Sequence, residues 1–169
     1  EIGNHTFTHP NIAKVSRKRA VLEMDATRLL IECITGHSTI LFRAPYNADF
    51  EPVKAEELIP VAIARQKNYL DIGESIDPLD WVPGTPADSI VARVIRGKEQ
   101  MTKQDLSGNI ILLHDAGGNG RAATVEALPR IIHYFKGRGY TFTTIADLLG
   151  KKKDDLMPPV PKGSGYYLL

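Results

Sequence analysis

Two histidines four residues apart, His5 and His9, lie in the segment His-Thr-Phe-Thr-His near the start of the chain. Neutral imidazole is the commonest protein ligand of divalent metals, so the pair is a candidate metal site. The alternative is that the two histidines lie on the surface and bind no metal. Pro10 follows directly and disfavours a helix at His9. A metal site needs a third protein ligand. We therefore expect that this ligand lies downstream or that the chain belongs to a longer protein.

Two further segments combine residue types that suit a binding site. Arg43-Ala-Pro-Tyr46 places a guanidinium before a proline-fixed turn, where it can hold a carboxylate in a bidentate pair. Taken alone, an ordinary surface loop explains this segment better. Asp77-Pro-Leu-Asp80-Trp81 joins two carboxylates to the only tryptophan, whose indole offers an aromatic face to a sugar. The alternative is a tryptophan at the core edge beside a helix-capping aspartate.

His114 follows the apolar run that ends in Leu112 and Leu113. A histidine at the end of a strand is well placed to act as a general acid or base. By contrast, His37 follows a glycine that ends a helical pattern, and His133 lies within one. We interpret those two histidines as structural or surface residues.

The hydrophobic pattern predicts alternating helices and strands. The predicted helices are residues 16–35, 55–67, 87–98, 124–136 and 144–149, and the predicted strands are residues 39–42, 69–72, 109–113 and 140–143. Alternation of this kind indicates an α/β fold with a parallel sheet and helices outside it. Catalytic and binding residues commonly lie at the carboxyl ends of such strands. Arg43, Asp71 and His114 all lie at predicted strand ends.

The organisation predicts one domain over residues 1–150 and a tail or linker over residues 151–169, which is rich in proline and glycine. We count four or five strands, whereas a closed barrel of this kind has about eight. We therefore expect that the first strand or strands lie before residue 1.

Composition excludes some broad classes. The 169 residues are enough for one domain with a real core. Hydrophobic residues make up 43%, charged residues 24%, and the net charge is +1. This balance gives no reason to expect nucleic acid as a partner or a charged membrane surface. A single cysteine excludes an internal disulfide, and no apolar run is long enough to span a membrane.

Taken in order, the segments His5–His9, Arg43–Tyr46, Asp77–Trp81 and Leu112–His114 resemble successive motifs of the polysaccharide deacetylases, the NodB-homology domain of carbohydrate esterase family four. The resemblance extends over residues 5–149. It implies a distorted (β/α) barrel with an open groove at the strand ends. It also implies hydrolysis of N-acetyl groups on an amino-sugar polymer, with zinc as the usual metal.

The resemblance implies that His5 and His9 bind the metal. The family's opening Thr-Phe-Asp-Asp-Gly motif supplies the third ligand and the general base, and this motif is absent from the sequence. We therefore expect an N-terminally truncated domain, an aspartate ligand outside this chain, and impaired activity. The backbone N–H of Tyr46 would stabilise the oxyanion. Arg43 would orient the missing catalytic aspartate.

The same resemblance assigns the second half of the site. His114 would be the general acid that protonates the leaving amine, and Asp80 would be the carboxylate that favours the charged imidazole. Trp81 and Leu112 would line the groove and hold the acetyl methyl group.

Several alternatives stay open. The second hypothesis is a catalytically inactive, deacetylase-like domain that binds carbohydrate or has a regulatory role in a larger envelope protein. Residues 157–160 resemble the junction to a glycosyltransferase domain in such proteins. A third hypothesis is a different metal hydrolase that acts on small amides, because the same barrel fold can carry that activity. The polymer can be chitin oligomers, peptidoglycan or exopolysaccharide, and the ligands suit zinc, cobalt or nickel. An extracellular or cell-envelope location is inferred from the substrate class alone.

Overall fold

The computed structural model describes residues 1–47, 55–101, 110–118 and 120–161. They form two compact units. The first unit comprises Glu1–Gly73 together with Thr144–Leu169, and the second unit comprises Glu74–Thr143. Each unit has its own hydrophobic cluster and is described separately below.

The longest helix of the first unit, α1, spans Arg17–Thr35, as the sequence predicted. Ser16 caps it by accepting a hydrogen bond from the backbone N–H of Arg19. Gly36 ends it with a φ of 69°, a left-handed conformation that glycine adopts without steric cost. The helix packs one face into the core through Ala20 and Met24, and that same face carries two buried glutamates.

The first unit contains a two-stranded parallel sheet. Strand β1 (Leu41–Phe42) pairs with β2 (Leu70–Asp71), so that Leu41 lies opposite Leu70. Between them, a 3-10 turn at Ala55–Leu58 leads into helix α2 (Ile59–Gln66). The parallel pairing that the alternating pattern predicted is therefore confirmed for these two strands.

The N-terminal segment extends this pairing on the other side of β1. The backbone N–H of Asn4 donates to the carbonyl oxygen of Leu41 at 2.8 Å, and the Arg43 N–H donates to the Asn4 carbonyl oxygen at 3.0 Å. The bridge is parallel. His5 therefore leaves the bridge beside the carboxyl end of β1, next to Arg43.

The C-terminal part of the first unit differs from the sequence expectation. Helix α5 (Ile145–Leu148) lies within its predicted bounds and is capped by Thr144, whose side chain accepts from the Asp147 N–H. A further short helix, α6, spans Lys153–Leu156, where the sequence predicted an irregular tail. Its residue Leu156 is buried in a cluster with Leu41 and Ala146. The prediction of irregular structure was wrong here because this apolar burial stabilises a turn of helix just ahead of the prolines.

The segment after α6 lies along residues 36–40. The N–H groups of Ser38 and Ile40 donate to the carbonyl oxygens of Pro158 and Leu156, and the Val160 N–H donates to Gly36, each at 2.9 Å. Proline lacks an N–H, so an edge position of this kind suits it. Residues 162–169 of the predicted tail lie outside the described residues.

The second unit is built on two helices, α3 (Ala87–Gln100) and α4 (Ala122–Lys136), close to their predicted bounds. They share a buried cluster of apolar side chains: Ile76, Ala87, Ile90, Val94, Ala127, Ile131 and Phe135. Gly97 allows α3 to approach Ile76 closely, since a Cβ atom there would lie 2.9 Å from the Ile76 Cγ2.

Two predicted strands are corrected in this unit. Of the predicted strand 109–113, residue 109 is outside the described part, and the rest forms only one bridge, between Ile111 and Ile76. Residues 140–143 form no strand. Tyr140 instead packs edge-on against Phe135, with 5.4 Å between ring centroids. A strand needs a hydrogen-bonded partner, and no strand among the described residues pairs with this segment.

Among the described residues, extended pairing is limited to the two strands and three isolated bridges, so the predicted distorted barrel stays a prediction. No helix in the described ranges combines the length and the apolar character needed to cross a membrane.

Candidate active site

The predicted site residues fall into both units. The first unit holds what we call the histidine cluster, made of His5, His9, Arg43 and Tyr46. The second unit holds the dyad, Asp80 and His114. Trp81 and Leu112, which were predicted to contact substrate, also belong to the second unit.

The two imidazoles of the histidine cluster lie close together. Their ring centroids are 4.9 Å apart at an interplanar angle of 68°, and the His9 ring lies 5.0 Å from that of Tyr46. The Nδ1 of His5 is 2.9 Å from the backbone oxygen of Arg43. Because a carbonyl oxygen only accepts, Nδ1 is the donor in this contact, which fixes the orientation of the ring. This arrangement fits two imidazole ligands of one divalent cation.

No group of three or more histidine, cysteine, aspartate or glutamate side chains that could hold a metal occurs within the described ranges. His5 and His9 alone would therefore supply two of the at least three protein ligands that a metal site needs.

Backbone strain concentrates in the predicted motifs. Five residues other than glycine have a positive φ in the described part of the chain, and Asn68 is the only one outside these motifs. The others are Thr6 (68°), His9 (56°), Tyr46 (62°) and Leu79 (57°). A left-handed conformation costs about 1–3 kcal/mol for such residues and persists only where surrounding contacts enforce it.

Asn4 supplies part of that enforcement for the histidine cluster. Its buried side-chain amide donates to the Met24 carbonyl oxygen at 2.8 Å and to the Tyr69 hydroxyl at 2.9 Å. Its Oδ1 accepts from the backbone N–H of Thr6 at 3.0 Å. These bonds connect the strained residue Thr6 to helix α1 and to the residue that precedes β2.

Glu23 of α1 also holds the backbone of the histidine cluster in place. The sequence prediction missed this residue. Its buried carboxylate accepts from the N–H groups of Phe7 (2.9 Å) and Thr8 (2.6 Å) and from the Thr8 hydroxyl (2.7 Å), and Arg19 pairs with it at 2.6 Å. Burial alone would raise the pKa of Glu23, but the hydrogen bonds from Thr8 and Arg19 outweigh it and lower the pKa. A glutamate beside Met24 on the buried face of α1 is the feature that could have identified it.

Arg43 is tied to the end of β2. Its Nε donates to the carbonyl oxygen of Ile72 at 2.7 Å, and its Nη2 donates to that of Gly73 at 3.1 Å. The guanidinium is thus fixed by backbone oxygens, while the Arg43 carbonyl orients His5. Tyr46 is largely exposed, and its φ of 62° sets the turn that follows Pro45.

The dyad is held by a buried carboxylate. Asp80 Oδ1 lies 2.7 Å from His114 Nδ1, and Asp80 Oδ2 accepts from the His114 backbone N–H at 2.8 Å. Thr124, in the first turn of α4, donates its hydroxyl to the same Oδ2 at 2.9 Å. The Asp80 side chain is 0% exposed and that of His114 is 31% exposed. The ring is therefore fixed through Nδ1 and still reachable from solvent.

The environment of Asp80 favours its charged form. Burial by itself would raise the pKa of Asp80, but hydrogen bonds from the His114 backbone, the His114 ring and Thr124 outweigh burial and lower the pKa. Asp80 is accordingly ionised at neutral pH. Arg121 adds a bond to the Asp80 backbone oxygen at 3.3 Å. Thr124 and Arg121 were missed because neither lies in the predicted motifs.

The two remaining predicted residues, Trp81 and Leu112, lie between Asp80 and His114 in the sequence. Trp81 is 48% exposed, and its Nε1 is 3.3 Å from the Asp77 carboxylate, so it is not a core-edge side chain. Leu112 is half-buried, and its N–H donates to the Ile76 carbonyl oxygen at 2.9 Å. The structure thus ties Trp81 to its own motif through Asp77, and Leu112 to the bridge at Ile76.

The chain matches known proteins over most of its length. Residues 1–58 match the family model described as polysaccharide deacetylase. A peptidoglycan-N-acetylglucosamine deacetylase from Bacillus cereus is 28% identical over 153 residues, which cover 90% of this chain and 50% of that protein. The chain therefore spans half the length of this relative.

Two solved structures are also similar. A CE4 family pseudoenzyme from Bacillus anthracis is 29% identical with a TM-score of 0.69, over 92% of this chain and 48% of that one. A family 4 acetyl xylan esterase from Clostridium thermocellum, in complex with a cobalt ion, is 29% identical with a TM-score of 0.68, over 89% and 64% of the two chains. These matches confirm the predicted resemblance to the NodB-type domain of the polysaccharide deacetylases.

Proposed function

We propose that this chain contributes to a metal-dependent deacetylase that hydrolyses N-acetyl groups on an amino-sugar polymer. The observation that carries the proposal is the dyad, in which a fully buried carboxylate lies 2.7 Å from the ring of a partly exposed histidine. A buried, ionised aspartate that fixes one imidazole nitrogen leaves the other nitrogen to exchange a proton with a substrate. Similarity to a peptidoglycan deacetylase supports this substrate class.

His5 and His9, whose ring centroids are 4.9 Å apart, would hold the divalent cation through ring nitrogens. A cation bound there polarises the acetamide carbonyl and lowers the pKa of a bound water. We propose zinc as the metal and an aspartate from outside the described residues as the third ligand. The cobalt ion in the similar acetyl xylan esterase structure supports a divalent site of this type.

His114 would protonate the leaving amine as the acetyl carbon–nitrogen bond breaks. The carboxylate of Asp80 supports this role because it holds the ring through Nδ1, so that Nε2 would donate the proton. The Asp80–Thr124 hydrogen bond keeps the carboxylate in place during this transfer.

The other predicted residues would act on substrate or on the catalytic base. The Tyr46 backbone N–H would stabilise the developing oxyanion. Arg43 would orient the catalytic aspartate expected from outside this chain, with its guanidinium braced by the oxygens that follow β2. Trp81 and Leu112 would contact the sugar and the acetyl methyl group; the exposure of the indole supports this role for Trp81.

The name of the Bacillus cereus relative favours peptidoglycan among the three predicted polymers, and with it a location in the cell envelope or outside the cell. The predicted glycosyltransferase domain stays a prediction.

Acetate release from acetylated chito-oligosaccharide and from peptidoglycan, with zinc present, tests the proposal. His114→Ala should lower turnover by about 10²–10⁴-fold, the usual contribution of a general acid, and should leave zinc affinity unchanged. His133→Ala, a histidine on α4 outside the motifs, is the matched control and should keep full activity. Loss of zinc binding in His114→Ala would show that its role is misassigned.

A second candidate is a polymer-binding domain without catalysis. The similarity to a CE4 family pseudoenzyme supports it specifically. In that case, acetylated peptidoglycan would bind to the chain without acetate release, and His114→Ala would change neither binding nor turnover.

A further inference from the structure

One buried carboxylate holds the segment that connects the two candidate metal ligands. Only Thr6, Phe7 and Thr8 separate His5 from His9. Two of these three residues donate to Glu23: Phe7 through its N–H at 2.9 Å, and Thr8 through its N–H at 2.6 Å and its hydroxyl at 2.7 Å. Glu23 itself is only 3% exposed.

The position of Glu23 on α1 makes these contacts rigid. The helix anchors the glutamate one residue from Met24, whose side chain is fully buried in the first unit's core. Arg19, one turn earlier, pairs with the same carboxylate at 2.6 Å and also donates to the Thr8 hydroxyl at 3.1 Å. A short segment bonded to a rigid helix at two successive N–H groups has few other conformations available. The strained φ of Thr6 and His9 requires such support.

We propose that Glu23 is a positioning residue that sets the separation and orientation of His5 and His9 for a divalent cation. The cation itself rests on the function proposed above. Glu23 does not bind the metal; it acts through the backbone of Phe7 and Thr8. Groups that orient metal ligands commonly change metal affinity 10- to 100-fold when they are removed.

The same helix provides a matched control. Glu32 is also 3% exposed and also pairs with an arginine one turn earlier, Arg28, at 2.6 Å. Its carboxylate accepts from the Ser38 hydroxyl, and none of its hydrogen bonds in the described part of the chain involves residues 5–9. Glu23→Gln and Glu32→Gln therefore make the same chemical change at the same burial. Of the two glutamates, only Glu23 bonds to the segment between His5 and His9.

The experiment compares the full 169-residue chain with both variants by zinc titration, by amide hydrogen exchange at Phe7 and Thr8, and by thermal unfolding. Glutamine keeps one acceptor oxygen and replaces the other with an amide that cannot accept. We expect Glu23→Gln to bind zinc about 10- to 100-fold more weakly and to exchange the two amides faster. Glu32→Gln should match the wild type in both, whatever its melting temperature.

A second variant covers the case in which Glu23→Gln does not fold. Thr8→Val removes the hydroxyl that donates to Glu23 and accepts from Arg19, but it keeps the Thr8 N–H bond to Glu23. It should therefore weaken zinc binding less than Glu23→Gln, in the same direction. Equal zinc affinity and equal exchange in Glu23→Gln and wild type would overturn the proposal, as would an equal loss in Glu32→Gln. A wild type that binds no zinc contradicts the proposed function, and the exchange rates at Phe7 and Thr8 still decide whether Glu23 holds the segment.

Discussion

The histidine cluster of the first unit and the dyad of the second unit are held by different means. In the dyad, side chains bond directly to the functional group: Asp80 accepts from the His114 ring, the His114 backbone and Thr124. In the histidine cluster, the support acts on the backbone between the ligands, through Glu23 and Asn4. The Asp80 carboxylate thus has its hydrogen-bond donors within the dyad, whereas the candidate metal ligands His5 and His9 are supported through the backbone between them.

The difference follows from the burial of a charged group in the dyad and the exposure of the imidazoles in the histidine cluster. A buried carboxylate is costly without donors, so Asp80 is stable only with its hydrogen bonds already made. The imidazoles of His5 and His9 are exposed, so they carry no comparable cost of burial. Variants that act on one site and leave the other unchanged test this contrast.

The largest effect is expected for His5→Ala. Removing one of the imidazoles should weaken zinc binding by more than about 100-fold, beyond the 10- to 100-fold cost of losing a group that merely orients a ligand. Isothermal titration with zinc measures this, and His37→Ala, in the same unit but outside the cluster, should bind as the wild type does. If the two sites are independent, the NMR resonances of Asp80 and His114 stay unchanged in His5→Ala. Zinc affinity equal to that of the wild type would remove His5 from the ligand set.

Asp80→Asn should destabilise the second unit in a pH-dependent way. The pKa of Asp80 is lower in the folded chain than in the unfolded one, so its contribution is fully present above about pH 4 and is lost as the pH falls through the lowered pKa. We expect a loss of about 2–3 kcal/mol at pH 7 that shrinks toward acid pH. Urea unfolding at pH 7 and at the lowest pH where the chain stays folded measures it.

Asp88 is the control for that measurement. Its side chain is 84% exposed and pairs with Arg130 at 2.7 Å. Asp88→Asn should cost less than about 1 kcal/mol because exposed ion pairs contribute little. The same loss for Asp80→Asn at both pH values would contradict the assignment of a charged, hydrogen-bonded Asp80.

The smallest effect is expected for Thr124→Val. Valine keeps the shape of threonine but removes the donor to Asp80 Oδ2, at a cost of about 1–2 kcal/mol. Thr124→Ser restores the hydroxyl and should recover most of the loss in the free energy of unfolding. If valine and serine behave alike, the hydroxyl does not hold the carboxylate, and the dyad is less firmly built than its geometry indicates.

Local sequence signals predicted much of the fold. Ser16 and Gly36 mark the ends of α1 because capping and a left-handed turn depend on one residue and its neighbours. The alternating aromatic residues Tyr140 and Phe142 were misleading for the opposite reason: a strand depends on a partner that periodicity does not report.

The candidate site residues are easier to identify from the sequence than the residues that support them. His5 and His9 are visible from spacing, and Asp80 and His114 from their motifs. The bond from Thr8 to Glu23 spans 15 residues, and the bond from Thr124 to Asp80 spans 44. Such contacts come from tertiary packing, and only the unusual placement of Glu23 on a buried helix face indicates one of them.

The segment Leu156–Val160 has a consequence for anyone who shortens this chain. It occupies the backbone groups of residues 36–40, which would otherwise form an open edge next to β1. Ending a recombinant protein at residue 150, where the sequence suggests a domain boundary, would uncover that edge together with the apolar surface beneath Leu156. Exposed edges of this kind recruit strands from other molecules, so the shorter protein would aggregate with its candidate site residues all intact.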